Sequence, residues 1–319
     1  MEIQQLQKIY AKHQGVKALA AALQKDSKNI HLSGLQGSSA AMVFAALAVK
    51  APQVLGVPYV FILDDEEEAG YFYHDLTQML GEEQVLFFPS SYKRAIKYGQ
   101  RDAGNEILRT EVLTRLSNFK LSTLNSQLFL VTFPQALAEL VVTKKMLSEQ
   151  TLSLQTGEQV DIVFVQETLL AFGFQRVDYV YEPGQFAVRG SIIDVYSYSC
   201  ELPYRIDFFG DEVDSIRTFE VQTQLSRTKL QHISIVPEMT LLQEGKDSFL
   251  SFLPQESVLV MKDPMFVADV VEQTFTEGFS QQALIENQAP QGETILTAEA
   301  NWYNQKISSS SCLISAALN

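Results

Sequence analysis

The chain has 319 residues, a hydrophobic content of 46% and a net charge of −14, which is typical of an ordinary soluble protein of two or three domains. The longest apolar run, Ala40 to Val49, is shorter than the ~20 residues that cross a bilayer, and Met1 to Gly15 lacks the apolar core of a signal peptide. Two cysteines, Cys200 and Cys312, are too few for a disulfide framework and lack metal-ligand spacing. We therefore expect a cytoplasmic protein with reduced thiols, no metal, no cofactor and no membrane partner.

The first 134 residues alternate between helices and strands. Ile3, Leu6 and Ile9 recur at helical spacing and predict an opening amphipathic helix. Helices are also expected over about 40–50 and 66–80. The predicted strands are Ile30 to Leu35, Tyr59 to Leu63, Gln84 to Phe88, and Leu128 to Phe133. This alternation predicts a parallel α/β sheet with crossover helices.

After Pro134 the pattern changes to α+β, with a strand at Leu152 to Gln155 and a helical segment at Asp161 to Phe172. Beyond Pro237 the α/β pattern returns. There we predict a helix starting at Pro264 and strands at Ser257 to Met261, Thr294 to Thr297 and Cys312 to Ser315. The chain should therefore divide into an α/β part at 1–134, an inserted α+β domain at 135–236 and a returning α/β part at 237–319.

The inserted domain should contain an antiparallel meander. Phe186 to Tyr196 reads as its first strand, with Gly190 as a bulge, and Gly210-Asp211 turns between Tyr204 to Phe209 and Glu212 to Glu220.

Alternation in the second strand predicts which side chains are buried. If Ile206 and Phe208 point into the core, Arg205, Asp207 and Phe209 share the opposite face. Two charges and a phenylalanine on one exposed face suit recognition of a partner better than catalysis. No Ser/His/Asp or Cys/His constellation stands out, so no catalytic residue is predicted.

The meander carries a family resemblance, in the sequence VRGSIIDVYSYSCELPYRIDFFGDEVDSIRTFEVQTQ. It resembles the interaction domain shared by the excision-repair protein UvrB and the transcription-repair coupling factor, and it is more similar to the latter. The resemblance implies a degenerate RecA-like α/β domain, interrupted by a domain that binds UvrA. It also implies that the full-length protein is an ATP-dependent translocase that contacts RNA polymerase and double-stranded DNA. The UvrA-contacting positions that it implies are Arg176, Arg189, Arg205 and Asp207, and the shared strand face adds Phe209.

The arginines of this surface have a second interpretation. They could form internal salt bridges with Glu182, Asp211 or Glu212 rather than contact a partner. Arginine is enriched at binding hot spots because its planar fork pairs carboxylates, which favours the interface.

A phosphate-binding loop is expected between the first strand and the following helix, where the sequence reads GLQGSSAA. Gly34 matches the first glycine of GxxxxGK[ST], and Gly37 lies within the loop. Ser39 replaces the second glycine, Ala40 the lysine and Ala41 the Ser/Thr. The groups that hold phosphate and Mg²⁺ are missing, so we expect no ATP hydrolysis here. The transcription-repair coupling factor is degenerate in this way, whereas UvrB keeps an intact loop.

Three other readings stay open. Asp64 to Glu68 follows a strand and could hold a metal, although a solvated helix start is favoured. The basic segment Phe88 to Lys120 is either a solvated helix face or a surface for DNA, its candidate patch being Lys93, Arg94, Lys97 and Arg101. The rival function is an ATP-dependent helicase-like repair enzyme of UvrB type.

Overall fold

A computed structural model describes residues 3–25, 29–52, 56–91, 102–119, 127–239, 246–279 and 312–318. The chain divides into two compact units. The first unit comprises Met1–Asn105, Asn118–Val141 and Lys246–Asn319, and the second comprises Glu106–Ser117 and Val142–Gly245. The domain bounds at 134/135 and 236/237 stay predictions. The strand expected at 294–297 and the basic patch Lys93, Arg94, Lys97 and Arg101 lie outside the described residues.

The described residues form nine α-helices and sixteen strands. The helices are α1 Ile3–Tyr10, α2 Gln14–Gln24, α3 Ser39–Lys50, α4 Glu66–Leu80, α5 Ala103–Ser117, α6 Pro134–Leu137, α7 Lys144–Glu149, α8 Ile162–Ala171 and α9 Pro264–Thr274. The strands are β1 Asn29–Leu35, β2 Tyr59–Ile62, β3 Val85–Phe87, β4 Phe129–Thr132, β5 Leu140–Val142, β6 Leu152–Gln155, β7 Gln175–Arg176, β8 Gln185–Arg189, β9 Ile192–Val195, β10 Tyr204–Phe209, β11 Glu212–Phe219, β12 Ser226–Leu230, β13 His232–Ile235, β14 Lys246–Ser248, β15 Val258–Met261 and β16 Cys312–Leu318.

The first unit is built on a six-stranded parallel sheet in the order β1-β16-β15-β2-β4-β3. Strands β2, β4 and β15 are buried along their whole length, as expected of apolar runs covered on both faces of a parallel sheet. Phe44 of α3 packs edge-on against Tyr59 and Phe61. The parallel α/β class predicted for this part is confirmed.

The second unit contains a six-stranded sheet in the order β12-β11-β10-β9-β8-β7. Its pairs are antiparallel, except that β7 runs parallel to β8. The predicted meander is therefore confirmed, but its first strand is wrong in one respect. Gly190 is not a bulge: Arg189 pairs with Ile192, so Gly190 and Ser191 form the turn of a two-residue hairpin between β8 and β9. Gly190 has a φ of 61°, which glycine adopts at low cost.

One face of this sheet forms the core of the second unit. Val165 and Leu169 of α8 are buried with Ile193, Ile206 and Phe208 of the sheet. The antiparallel pair β6–β13 adds Leu154, Ile233 and Ile235 to the same cluster. Burial of Ile206 and Phe208 agrees with the strand alternation. No helix among the described residues is long and apolar enough to cross a membrane.

Candidate functional site

The opposite face of the second unit's sheet carries charged side chains. Cross-strand pairing places Ala187, Asp194, Arg205 and Arg217 in one row from β8 to β11. Alternation along β8 and β10 brings Arg189, Asp207 and Phe209 to the same side. We call this the polar face, defined by Arg189, Asp194, Arg205, Asp207, Phe209 and Arg217.

Asp194 is the centre of the polar face. It lies in β9 between apolar neighbours, and only 1% of its surface is exposed. Arg205 donates from Nε to Oδ1 at 2.7 Å and from Nη2 to Oδ2 at 2.9 Å. Arg189 donates to the same Oδ2 from the other neighbouring strand. A buried carboxylate held by two arginines satisfies the rule that buried charges are paired.

The Arg205 guanidinium contacts an aromatic ring and a backbone oxygen in addition to Asp194. It lies 4.4 Å from the centre of the Phe219 ring, and its Nη1 donates to the backbone oxygen of Gln224 at 3.0 Å. The hydrogen bonds to Asp194 raise the pKa of Arg205 above its ordinary value, although burial opposes them. With 15% of its side chain exposed, Arg205 is mostly a framework residue.

Arg189 is more accessible than Arg205. Its side chain is 38% exposed and lies 5.2 Å from the centre of the Tyr179 ring. Both arginines therefore form internal pairs, but their acid is Asp194 and none of the expected Glu182, Asp211 or Glu212. The internal pairing left open from the sequence is therefore present, with a buried carboxylate of the adjacent strand β9 as its acid, and contact of either arginine with a partner stays a prediction.

The remaining predicted contact residues differ in placement. Phe209 is 83% exposed at the end of β10, and Asp207 accepts hydrogen bonds from Ser191 at 3.2 Å and from Arg217 at 3.5 Å.

Arg176 does not lie on the polar face. It pairs in register with Phe186, a core residue, so its position is on the core side of the sheet, at the edge strand β7. The expectation that Arg176, Arg189 and Arg205 share one face is wrong for Arg176. Sequence reasoning missed Asp194 and Arg217, although a lone aspartate inside the run Ile-Ile-Asp-Val was a usable signal.

The degenerate phosphate loop lies between β1 and α3. Gly34 sits in an irregular part of β1 with a φ of 78°, and Gly37 has a φ of 52° in the turn. The Ser39 hydroxyl accepts a hydrogen bond from the backbone N–H of Gln36 at 2.6 Å. Ala40 and Ala41 are buried in the first turn of α3. Their methyl groups occupy the positions where a working loop has its lysine and hydroxyl.

The carboxylates that follow β2 are held by a lysine from elsewhere in the chain. Lys262, directly after β15, lies 2.8 Å from Asp64 Oδ2 and 2.7 Å from Glu68 Oε1. Burial lowers the pKa of Lys262, but the hydrogen bonds to both carboxylates outweigh it and raise the pKa. Asp65 accepts from the Glu68 backbone N–H and caps α4. The segment is the acidic helix start favoured from the sequence, with two of its carboxylates also paired to Lys262. No group of potential metal ligands occurs among the described residues.

The strands of the polar face lie within a segment that matches a known protein family. Residues 152–240 match the family described as the UvrB interaction domain, a match that includes every strand from β6 to β13. This segment is similar to the UvrB interaction domain. This match, together with the relatives found for the chain as a whole, confirms the resemblance predicted from the meander.

Those relatives are transcription-repair-coupling factors. The chain is 29% identical to the one from Bacillus subtilis over 233 residues, which is 71% of this chain and 18% of that protein. It is 26% identical to the one from Escherichia coli over 206 residues, 65% of this chain and 17% of the relative. The Haemophilus influenzae protein is 32% identical over 120 residues, 37% of this chain and 10% of the relative. The chain thus matches less than a fifth of the length of these relatives.

Proposed function

We propose that this chain is a non-catalytic adaptor that binds UvrA through the polar face. The observation that carries the proposal is an exposed phenylalanine, Phe209, beside the partly exposed Arg189 and Asp207 within a segment similar to the UvrB interaction domain. An exposed aromatic ring with neighbouring charged groups is the composition of a binding hot spot. In this proposal Arg205 and Asp194 hold the surface in place, and Arg176 contributes from the sheet edge.

The similarity to transcription-repair-coupling factors supports a wider role. Within a full-length protein, this module would recruit UvrA and the excision-repair proteins to RNA polymerase stalled on double-stranded DNA. It would do so by presenting the surface that UvrB presents to UvrA. This mimicry implies that the chain and UvrB compete for one site on UvrA.

Two features support the absence of catalysis. Ala40 and Ala41 provide neither the cation nor the hydroxyl that phosphoryl transfer requires. The nearby carboxylates Asp64 and Glu68 are bound to Lys262 and are therefore poorly suited to hold Mg²⁺. No feature of the described residues favours the rival, a UvrB-type ATPase.

Binding to UvrA tests the proposal directly. The 319-residue chain should bind purified UvrA, UvrB should displace it, and Phe209→Ala should weaken binding at least tenfold because the exposed ring is a hot-spot residue. Tyr71→Ala is a matched control, since Tyr71 is an exposed aromatic residue of α4 in the first unit. Calorimetry with ATP should show no binding in the micromolar range. Absence of UvrA binding, or binding that UvrB leaves unchanged, would overturn the adaptor proposal, and ATP turnover would favour the rival enzyme.

A further inference from the structure

The polar face continues as a row of cations across three strands. Arg205 of β10 pairs with Arg217 of β11, and Arg217 pairs with Lys229 of β12. Neighbouring strands lie about 4.8 Å apart, so the row extends over roughly 10 Å. Arg217 is 36% exposed and Lys229 is exposed on the edge strand. The surface beyond β10 is thus accessible and basic.

The carboxylates of this face neutralise the row only in part, because they pair with Arg205 closely, with Arg217 at a longer distance and not with Lys229. Asp194 is fully engaged by Arg189 and Arg205. Asp207 is the acid closest to Arg217, at a long 3.5 Å. The Arg217 Nε–H is buried without an acceptor, and Lys229 forms no ion pair within the described part of the chain.

Like charges directly opposite each other in a sheet destabilise it. Arg205 and Arg217 are such a pair, and so are Arg217 and Lys229. The row stands out more because the whole chain has a net charge of −14. An external group with negative charges would relieve the repulsion between the exposed parts of Arg217 and Lys229.

We propose that Arg217 and Lys229 extend the binding surface across β11 and β12, and that the partner presents a row of carboxylates to them. This inference rests on the proposed function, and the partner segment is an acidic stretch of UvrA. Carboxylates are favoured over nucleic-acid phosphates because the exposed Phe209 shares the face. An exposed aromatic side chain beside arginines is typical of a protein interface.

The test compares the affinity for UvrA of the wild-type chain and two variants, Arg217→Gln and Lys229→Gln. Each variant should bind about five- to thirtyfold more weakly, and the dependence of the affinity on salt concentration should become less steep with each lost cation. Lys145→Gln is the matched control, since Lys145 is an exposed lysine of α7 outside the sheet, and its affinity should not change. Thermal unfolding of Lys229→Gln should match the wild type, so that its loss of affinity cannot come from misfolding.

Two results would contradict this extension while leaving the proposed function intact. One is an affinity within twofold of the wild type for both variants when Phe209→Ala still weakens binding; the contact surface would then end at β10. The other is tight binding of a double-stranded oligonucleotide at physiological salt that both substitutions abolish, which would identify a phosphate partner for the row. A wild-type chain that does not bind UvrA at all contradicts the proposed function itself.

Discussion

Arg205 and Asp194 form a two-pronged ion pair between adjacent strands, with N–O distances of 2.7 and 2.9 Å. The carboxylate is buried and has no solvent to replace a lost partner. Arg205, for which the family resemblance implies contact with a partner protein, therefore also stabilises the domain that displays it. Substitution of this arginine has to be interpreted through stability as well as affinity.

We predict that Arg205→Ala lowers the free energy of unfolding by about 3 kcal/mol, because removal of one partner leaves a buried charge poorly compensated. An exposed ion pair, by contrast, contributes at most about 1 kcal/mol. Urea unfolding measures the loss, with Lys145→Ala as a control that should stay within about 0.5 kcal/mol of the wild type. An Arg205→Ala protein as stable as that control would show that Asp194 is satisfied by Arg189 alone.

Phe208 and Phe209 are adjacent residues with opposite environments, and they make a matched pair. Phe208 is packed in the core of the second unit, so Phe208→Ala should cost about 3–5 kcal/mol through the cavity that it leaves. Phe209 is mostly exposed, so Phe209→Ala should change the stability by no more than about 0.5 kcal/mol. Denaturant unfolding of both variants, measured in parallel, gives the two losses in free energy of unfolding. Equal losses of stability would mean that the alternation along β10 is misassigned.

Cys200 should make the stability depend on pH in the alkaline range. Burial raises the pKa of its thiol to about 12, whereas an unfolded cysteine titrates near 8.5. Above about pH 9 the native chain keeps a proton that the unfolded chain loses, so the free energy of unfolding falls as the pH rises.

The Cys200 contribution is isolated by comparison with Cys200→Ala. Between pH 8 and pH 10 the stability of the wild type should fall by about 1–2 kcal/mol more than that of the variant. Guanidinium unfolding at both pH values measures the difference, and ionisations common to both proteins cancel. Identical pH dependence in the two proteins would mean that the native thiol ionises as freely as the unfolded one.

The cluster of Lys262 with Asp64 and Glu68 should stabilise the first unit. Lys262→Ala leaves two neighbouring carboxylates without their cation, and we expect a loss of about 1–2 kcal/mol at low salt. The loss should shrink in 1 M NaCl, because these side chains are partly exposed and salt screens the repulsion. Thermal unfolding at both salt concentrations tests this, with Lys262→Met as a variant that keeps the length of the side chain. A loss of equal size in high salt would assign the role of Lys262 to packing rather than charge.

The elements predicted correctly are those that depend on local pattern. The period-two alternation of β10 identified Ile206 and Phe208 as core residues, and the acidic helix start at Glu66 marked the beginning of α4. The turn at Gly190 was misread because one glycine inside a β-like run is compatible with a bulge or with a hairpin. Only the pairing of Arg189 with Ile192 distinguishes them, and pairing is not a local property.

The interactions that the sequence could not predict join distant parts of the chain or adjacent strands. Lys262 is 198 residues from Asp64, and they meet because the carboxyl ends of β2 and β15 lie side by side in the sheet. Asp194 accepts from arginines of two neighbouring strands, so its role depends on register. The degenerate loop was predictable because the sequence itself has Ala40 and Ala41 where a working loop has its lysine and its hydroxyl.

The position of β16 in the first sheet has a consequence for biosynthesis. This strand lies between β1 and β15, and β1 has no other neighbour among the described strands. His31 of β1 hydrogen-bonds Ser315 of β16 across a separation of 284 residues. Pairing over such a distance forms late, since the ribosome must first synthesise the residues that separate the two strands. A ribosome that stalls before residue 312 would therefore hold a nascent chain with an unpaired β1 and an open apolar edge at β15, which is the kind of intermediate that chaperones bind.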